Sequence, residues 1–117
     1  MIDLQHAVEE RIASMMEDGD ELVASPEMMD DWCAIHYHDN SGNLVRCEFL
    51  ETERSWKTRD AVQDYNDLID RGVEVTVIVP EVILEAVDRY LGSFAHPDIQ
   101  LSSMDEAGIT AKELISR

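Results

Sequence analysis

WCAIHYHDNSGNLVRCEFL, residues 32–50, is the stretch whose pattern decides the fold. Cys33, Ile35 and Tyr37 alternate with Ala34, His36 and His38, and after Asn40-Ser41-Gly42 the residues Val45, Cys47 and Phe49 alternate with Arg46, Glu48 and Leu50. A period of two is the signature of a strand, since successive side chains point to opposite faces. A three-residue loop with Gly42 in the left-handed conformation closes the two runs into a bulged hairpin. Pairing Asp39 with Asn43 then sets Tyr37 opposite Val45, Ile35 opposite Cys47 and Cys33 opposite Phe49. That register gives one wholly apolar face, the one expected to be buried.

The pattern on either side of the hairpin is helical. Leu4, Ala7, Val8, Ile12, Met15 and Met16 recur at the spacing of one helix face from Asp3 to about Asp18, with Asp3 as N-cap and Gly19 as stop. Glu21 to Ser25 is expected as a short strand, and Ser25-Pro26-Glu27 as a helix start with proline in the first turn. After the hairpin, residues 58–71 read as a helix with Ala61, Val62, Tyr65, Leu68 and Ile69 inward and Gly72 closing it. Val73 to Val79 (VEVTVIV) is rich in β-branched residues and reads as a central strand. Residues 81–91 read as a helix closed by Gly92, Ile99 to Ser103 as an edge strand, and Thr110-Ala111-Lys112-Glu113 as a capping box opening a terminal helix. Strands alternating with helices imply an α/β domain with a mixed sheet of four or five strands and helices on its faces. At 117 residues, a single domain over residues 1–117 is expected.

Composition bounds the functions. Twenty-six acidic residues against nine basic ones leave a net charge of −17. Affinity for nucleic acid comes largely from Lys and Arg displacing counterions, so nucleic acid is a disfavoured partner. Arg outnumbers Lys seven to two, and acidity with few lysines is the composition of a salt-adapted microbe, where surface charge maintains solubility. No N-terminal apolar run of signal-peptide type precedes the two cysteines and no stretch approaches about 20 apolar residues, so a cytoplasmic chain with reduced thiols and no membrane span is expected. Cys33 and Cys47 are read as small buried hydrophobes. The isolated glycines form no phosphate loop.

Two clusters could carry chemistry. His36 and His38 project from one face of a strand, and in the register above Glu48 joins them, a ligand set acceptable to zinc or another transition metal. The same register puts Arg46 directly opposite His36 and Leu44 opposite His38, which weakens that site. The second cluster rests on element order: helix, strands, helix and strand, with Asp31 (or Asp30) before one strand and Glu48 on the next. This order resembles that of the restriction-endonuclease-like nucleases, the PD-(D/E)xK superfamily. The resemblance implies that Asp31 and Glu48 would hold Mg or Mn against a scissile phosphate, with Glu51 as a further carboxylate. Leu50 stands where that family has lysine, and Lys57 is the candidate to replace it.

No constellation of base, nucleophile and oxyanion donor can be assembled in full. The expected function is therefore a non-enzymatic interaction or structural module, acting on a protein partner or as a homodimer and needing no cofactor. A metal-dependent nuclease of degenerate motif is the alternative. A non-catalytic nucleic-acid-associated protein comes third, and it would need Arg46, Arg54, Arg59 and Arg71 to cluster.

Overall fold

The computed structural model describes residues 4–17, 21–58 and 61–109. Five strands, β1 (Val23–Met28), β2 (Cys33–His38), β3 (Leu44–Leu50), β4 (Glu74–Val79) and β5 (Gln100–Ser103), form one sheet in the order β1-β2-β3-β4-β5. The first three pair antiparallel, and β3, β4 and β5 run parallel, so the sheet is mixed, as expected. Parallel neighbours need crossovers. These are made by α2 (Ser55–Thr58) with α3 (Ala61–Asp70), and by a 3-10 turn (Glu81–Ile83) leading into α4 (Leu84–Phe94). The N-terminal helix α1 (Leu4–Glu17) precedes the sheet.

Both faces of the sheet are covered. On one, Ala7, Val8 and Met15 of α1 pack with Cys33, Ile35, Tyr37, Leu50 and Ile78, and Met104, Ala107 and Ile109 complete the cluster. On the other, Ala34, Cys47, Phe49, Val75, Val77 and Val79 pack with Ala61 and Tyr65 of α3 and Val87 of α4. Strand β4 is buried from Val75 to Val79 because it is central and covered twice, which explains its unbroken β-branched run.

The hairpin loop forms as expected: the Asp39 N–H donates to the Asn43 carbonyl at 3.0 Å, and Gly42 has φ +84°. Asp39 Oδ1 accepts from the backbone N–H groups of Ser41 (2.9 Å) and Asn43 (3.0 Å), closing the turn with its own side chain. Beyond His38–Leu44, however, the register differs from the expected one. Tyr37 pairs with Arg46, Ile35 with Glu48 and Cys33 with Leu50, with an irregularity between Tyr37 and His38. Val45 is the extra residue of a β-bulge, and one extra residue moves all later side chains of β3 to the opposite face. Glu48 therefore shares a face with Ile35 and Tyr37, not with His36 and His38. Cys33 and Cys47 lie on opposite faces, and Arg46 stands opposite Tyr37, not His36.

Three element boundaries also differ. Pro26 opens no helix but sits within β1, whose outer edge needs no N–H. Helical structure begins before the expected start at 58, with α2 over Ser55–Thr58, and α3 is described from Ala61 to Asp70. Helix α4 runs through Gly92 to Phe94, since a single helical glycine costs only about 1 kcal/mol and Leu84, Val87 and Leu91 anchor the helix on the sheet. The capping box at 110–113 and the caps at Asp3 and Gly19 lie outside the described residues.

Candidate functional site

The sheet buries two carboxylates, Glu48 and Glu51, each 0% exposed. They are three residues apart at the end of β3, so they leave it on opposite faces. A buried charge is tolerated only when it is paired and hydrogen-bonded, and the two meet that requirement with different partners.

Glu48 faces α1. Arg11 reaches it with both prongs of its guanidinium, Nε to Oε1 at 2.8 Å and Nη2 to Oε2 at 2.6 Å, the fork geometry in which arginine binds carboxylate best. Arg11 Nη1 donates to the Ala107 carbonyl at 3.0 Å, so one side chain joins α1, the sheet and the segment after β5. Tyr37 Oη donates to Glu48 Oε1 at 3.0 Å, and burial together with the Glu48 charge pushes the Tyr37 phenol up. Arg46 Nη2 adds a second positive charge 3.4 Å from Oε2 and lies 3.9 Å from Glu74.

Glu51 enters the other face, beyond the last pair of β3. Ser55 Oγ donates to its Oε1 at 2.6 Å, and Tyr65 Oη donates to its Oε2 in a short hydrogen bond. Ser55 and Thr52 also exchange hydrogen bonds, with the Thr52 N–H donating to Ser55 Oγ at 2.8 Å and the Ser55 N–H to Thr52 Oγ1 at 3.3 Å. This is a capping box that starts α2 while aiming the serine at the glutamate.

The candidates from the sequence are not brought together. Asp31 sits in the bend before β2, whereas Glu48 pairs with Ile35, four residues and roughly 13 Å further along that strand. Lys57 is exposed on α2 with Nζ 5.7 Å from the Trp56 ring centroid, and Trp56 packs on the face opposite Glu48. His36 lies between Ser25 and Cys47, and His38 between Val23 and Leu44, on the face that Glu48 does not enter. Among the described residues, no group of three or more His, Cys, Asp or Glu side chains is arranged to hold a metal ion. The arginines also separate. Arg46 begins β3 and Arg71 precedes β4, while Arg54 follows β3 at the other end of the sheet, and Arg59 is outside the described residues.

Burial pushes both thiols up to about 12, and both cysteines are free. Neither has the exposed, electropositive surroundings of a nucleophilic thiol. No helix among the described residues is long and apolar enough to cross a membrane.

No family model, curated protein or solved structure matches this chain.

Periodicity puts Tyr37 and Tyr65 on buried faces without marking them as hydrogen-bond donors, and it does not single out Arg11 or Ser55. Arg11 left a signal: it stands four residues after Ala7 and four before Met15, on the apolar stripe of α1. A lone charge within a buried helix face calls for a buried counter-charge, and Glu48 supplies it.

Proposed function

We propose that this chain is a non-enzymatic α/β module of a salt-adapted cytoplasm, acting through protein contacts. The observation that carries this reading is the bidentate Arg11–Glu48 pair. It occupies both oxygens of the carboxylate that the nuclease alternative would use for metal. A divalent ion would have to displace a guanidinium at 2.6–2.8 Å from a fully buried group, with Arg46 3.4 Å away as a further repelling charge. The element order also supports an architectural relative of the restriction-endonuclease-like nucleases, one in which the acidic positions hold the structure together.

Thermal unfolding in high KCl with added Mn or Mg, at matched ionic strength, tests the reading on wild type, Glu48→Gln and Asp31→Asn. The expected result is no metal-specific stabilisation of the wild type and no difference in metal response between wild type and Asp31→Asn. Stabilisation of the wild type at millimolar metal or below, lost in either variant, would restore the metal-dependent phosphodiesterase.

A further inference from the structure

Of the two edges of the sheet, one is closed by its own side chains and the other is open. At β5 the Ser103 N–H donates to Glu106 Oε1 and Ser102 Oγ donates to the Ser103 carbonyl, each at 3.1 Å. At β1, Pro26 has no N–H to offer, and the Met29 N–H turns inward to the Trp32 carbonyl at 2.9 Å. Backbone groups alternate in direction along an antiparallel strand, so Ala24, Pro26 and Met28 turn theirs away from β2. Among the described residues, nothing pairs with these outward groups. Every residue of β1 except Ala24 is exposed. A row of unpaired N–H and C=O groups is a template for one class of occupant, an extended polypeptide.

The two faces of β1 specify the side chains of that occupant. Ala24, Pro26 and Met28 pair with Tyr37, Ile35 and Cys33, so the flank on the α1 face is wholly apolar. Met28 is 43% exposed there, beside Met29 at 45%. The other face presents Val23, Ser25 and Glu27. Between Ile12 and Val45 the chain has eight Asp and Glu and no Lys or Arg, and Glu21, Glu27 and Asp30 are exposed at or beside this edge. A strand added here meets apolar side chains on one face and carboxylate on the other. A second copy is the poorer occupant, because a pair of β1 strands counts the missing Pro26 donor twice and sets acidic edge against acidic edge.

We propose that the outer edge of β1 is a strand-addition site for an extended segment of a partner protein in which apolar and basic residues alternate. This rests on the reading of the chain as a module acting through protein contacts, and names the contact and the partner's chemistry.

A fluorescent peptide alternating lysine and valine, followed by anisotropy in KCl at about 0.1 M and about 1 M, tests it. The wild type should bind it and should not bind a peptide alternating glutamate and valine. Glu27→Lys should weaken binding roughly tenfold at the lower salt, whereas Glu85→Lys, the same change of charge on exposed α4, should leave it within about twofold. The Glu27→Lys difference should shrink at the higher salt, as the screening length falls from about 10 Å to about 3 Å. Methylating one alternate set of peptide nitrogens should abolish binding and methylating the other should not, since only one set of N–H groups faces β1. In amide exchange, Ala24 and Met28 should gain protection with bound peptide, while Ser25 and Glu27, already paired with β2, should not change. No binding at either salt, equal losses in Glu27→Lys and Glu85→Lys, or no new protection at Ala24 and Met28 would overturn the site. Protection there without peptide, at a mass above 13.3 kDa, would overturn it in favour of a second copy. None of these results changes the metal titration, so failure of the edge site is distinguishable from failure of the non-enzymatic reading.

Discussion

The two faces of the sheet bury a carboxylate each and hold it by different means. On the α1 face, Glu48 is answered by a forked arginine, a second guanidinium and a phenol, and the pair ties three separate chain segments together. On the α3/α4 face, Glu51 is met by the hydroxyls of Ser55 and Tyr65 beside a cluster of aliphatic and aromatic side chains. One face uses a long-range ion pair to fix the position of a helix. The other uses a local turn to start one. In both, a carboxylate that pattern alone would offer as a ligand is committed to the fold.

The largest effect is expected where the pair is broken from one side. Arg11→Met should destabilise by about 3–5 kcal/mol, because it leaves Glu48 buried without its principal counter-charge. Denaturant unfolding measures this, and a loss under about 1 kcal/mol would mean that Arg46 and Tyr37 suffice. On the opposite face, Tyr65→Phe removes one hydroxyl from Glu51 and should cost about 1.5–3 kcal/mol, the range for a hydrogen bond to a charged group. A larger loss than that of Arg11→Met would reverse the ranking of the two faces.

The cysteines sharpen the comparison, since Cys33 belongs to one face and Cys47 to the other. Both thiols, raised from 9.0 to about 12, bind their protons more tightly folded than unfolded. This stabilisation is present in full below pH 9 and is lost as pH rises from there through about 12. Stability should therefore decline above pH 9, less steeply in Cys33→Ala and in Cys47→Ala than in wild type. Equal slopes in all three proteins would show that the faces are not dry at these positions. The smallest effect belongs to the loop that joins β2 to β3. Backbone N–H groups of Asn43 first, then Ser41, hold the Asp39 carboxyl below its ordinary value of 3.8. Its contribution should persist above that value and fade only as pH falls through the lower, folded one. The Ser41 and Asn43 amide resonances, followed in acid, report the midpoint.

Much of the fold was legible because periodicity survives where elements are long and covered. The β4 run, the α1 and α3 stripes and the parallel crossovers followed from residue spacing. The hairpin loop followed from Gly42 and Asp39. What hid the buried pair was Val45: nothing in its side chain marks it as the extra residue of a bulge, yet it decides which face Glu48 enters. With a regular ladder, Glu48 reads as a neighbour of His36 and His38 and as a ligand. With the bulge, it belongs to Arg11. The proline of β1 misled for a related reason, since an edge strand tolerates what a helix start favours. Tyr65 was placed inward by its spacing, but its role as a donor to Glu51 depends on where β3 ends in three dimensions.

A double-mutant cycle between Arg11→Met and Glu48→Gln, read by equilibrium unfolding, tests most directly whether Glu48 is a structural partner of α1. If it is, each single variant is strongly destabilised and the double variant recovers much of the loss, giving a coupling of about 1–3 kcal/mol. Additive losses, with Glu48→Gln tolerated on its own, would contradict the pairing and return Glu48 to the list of groups free to bind a ligand.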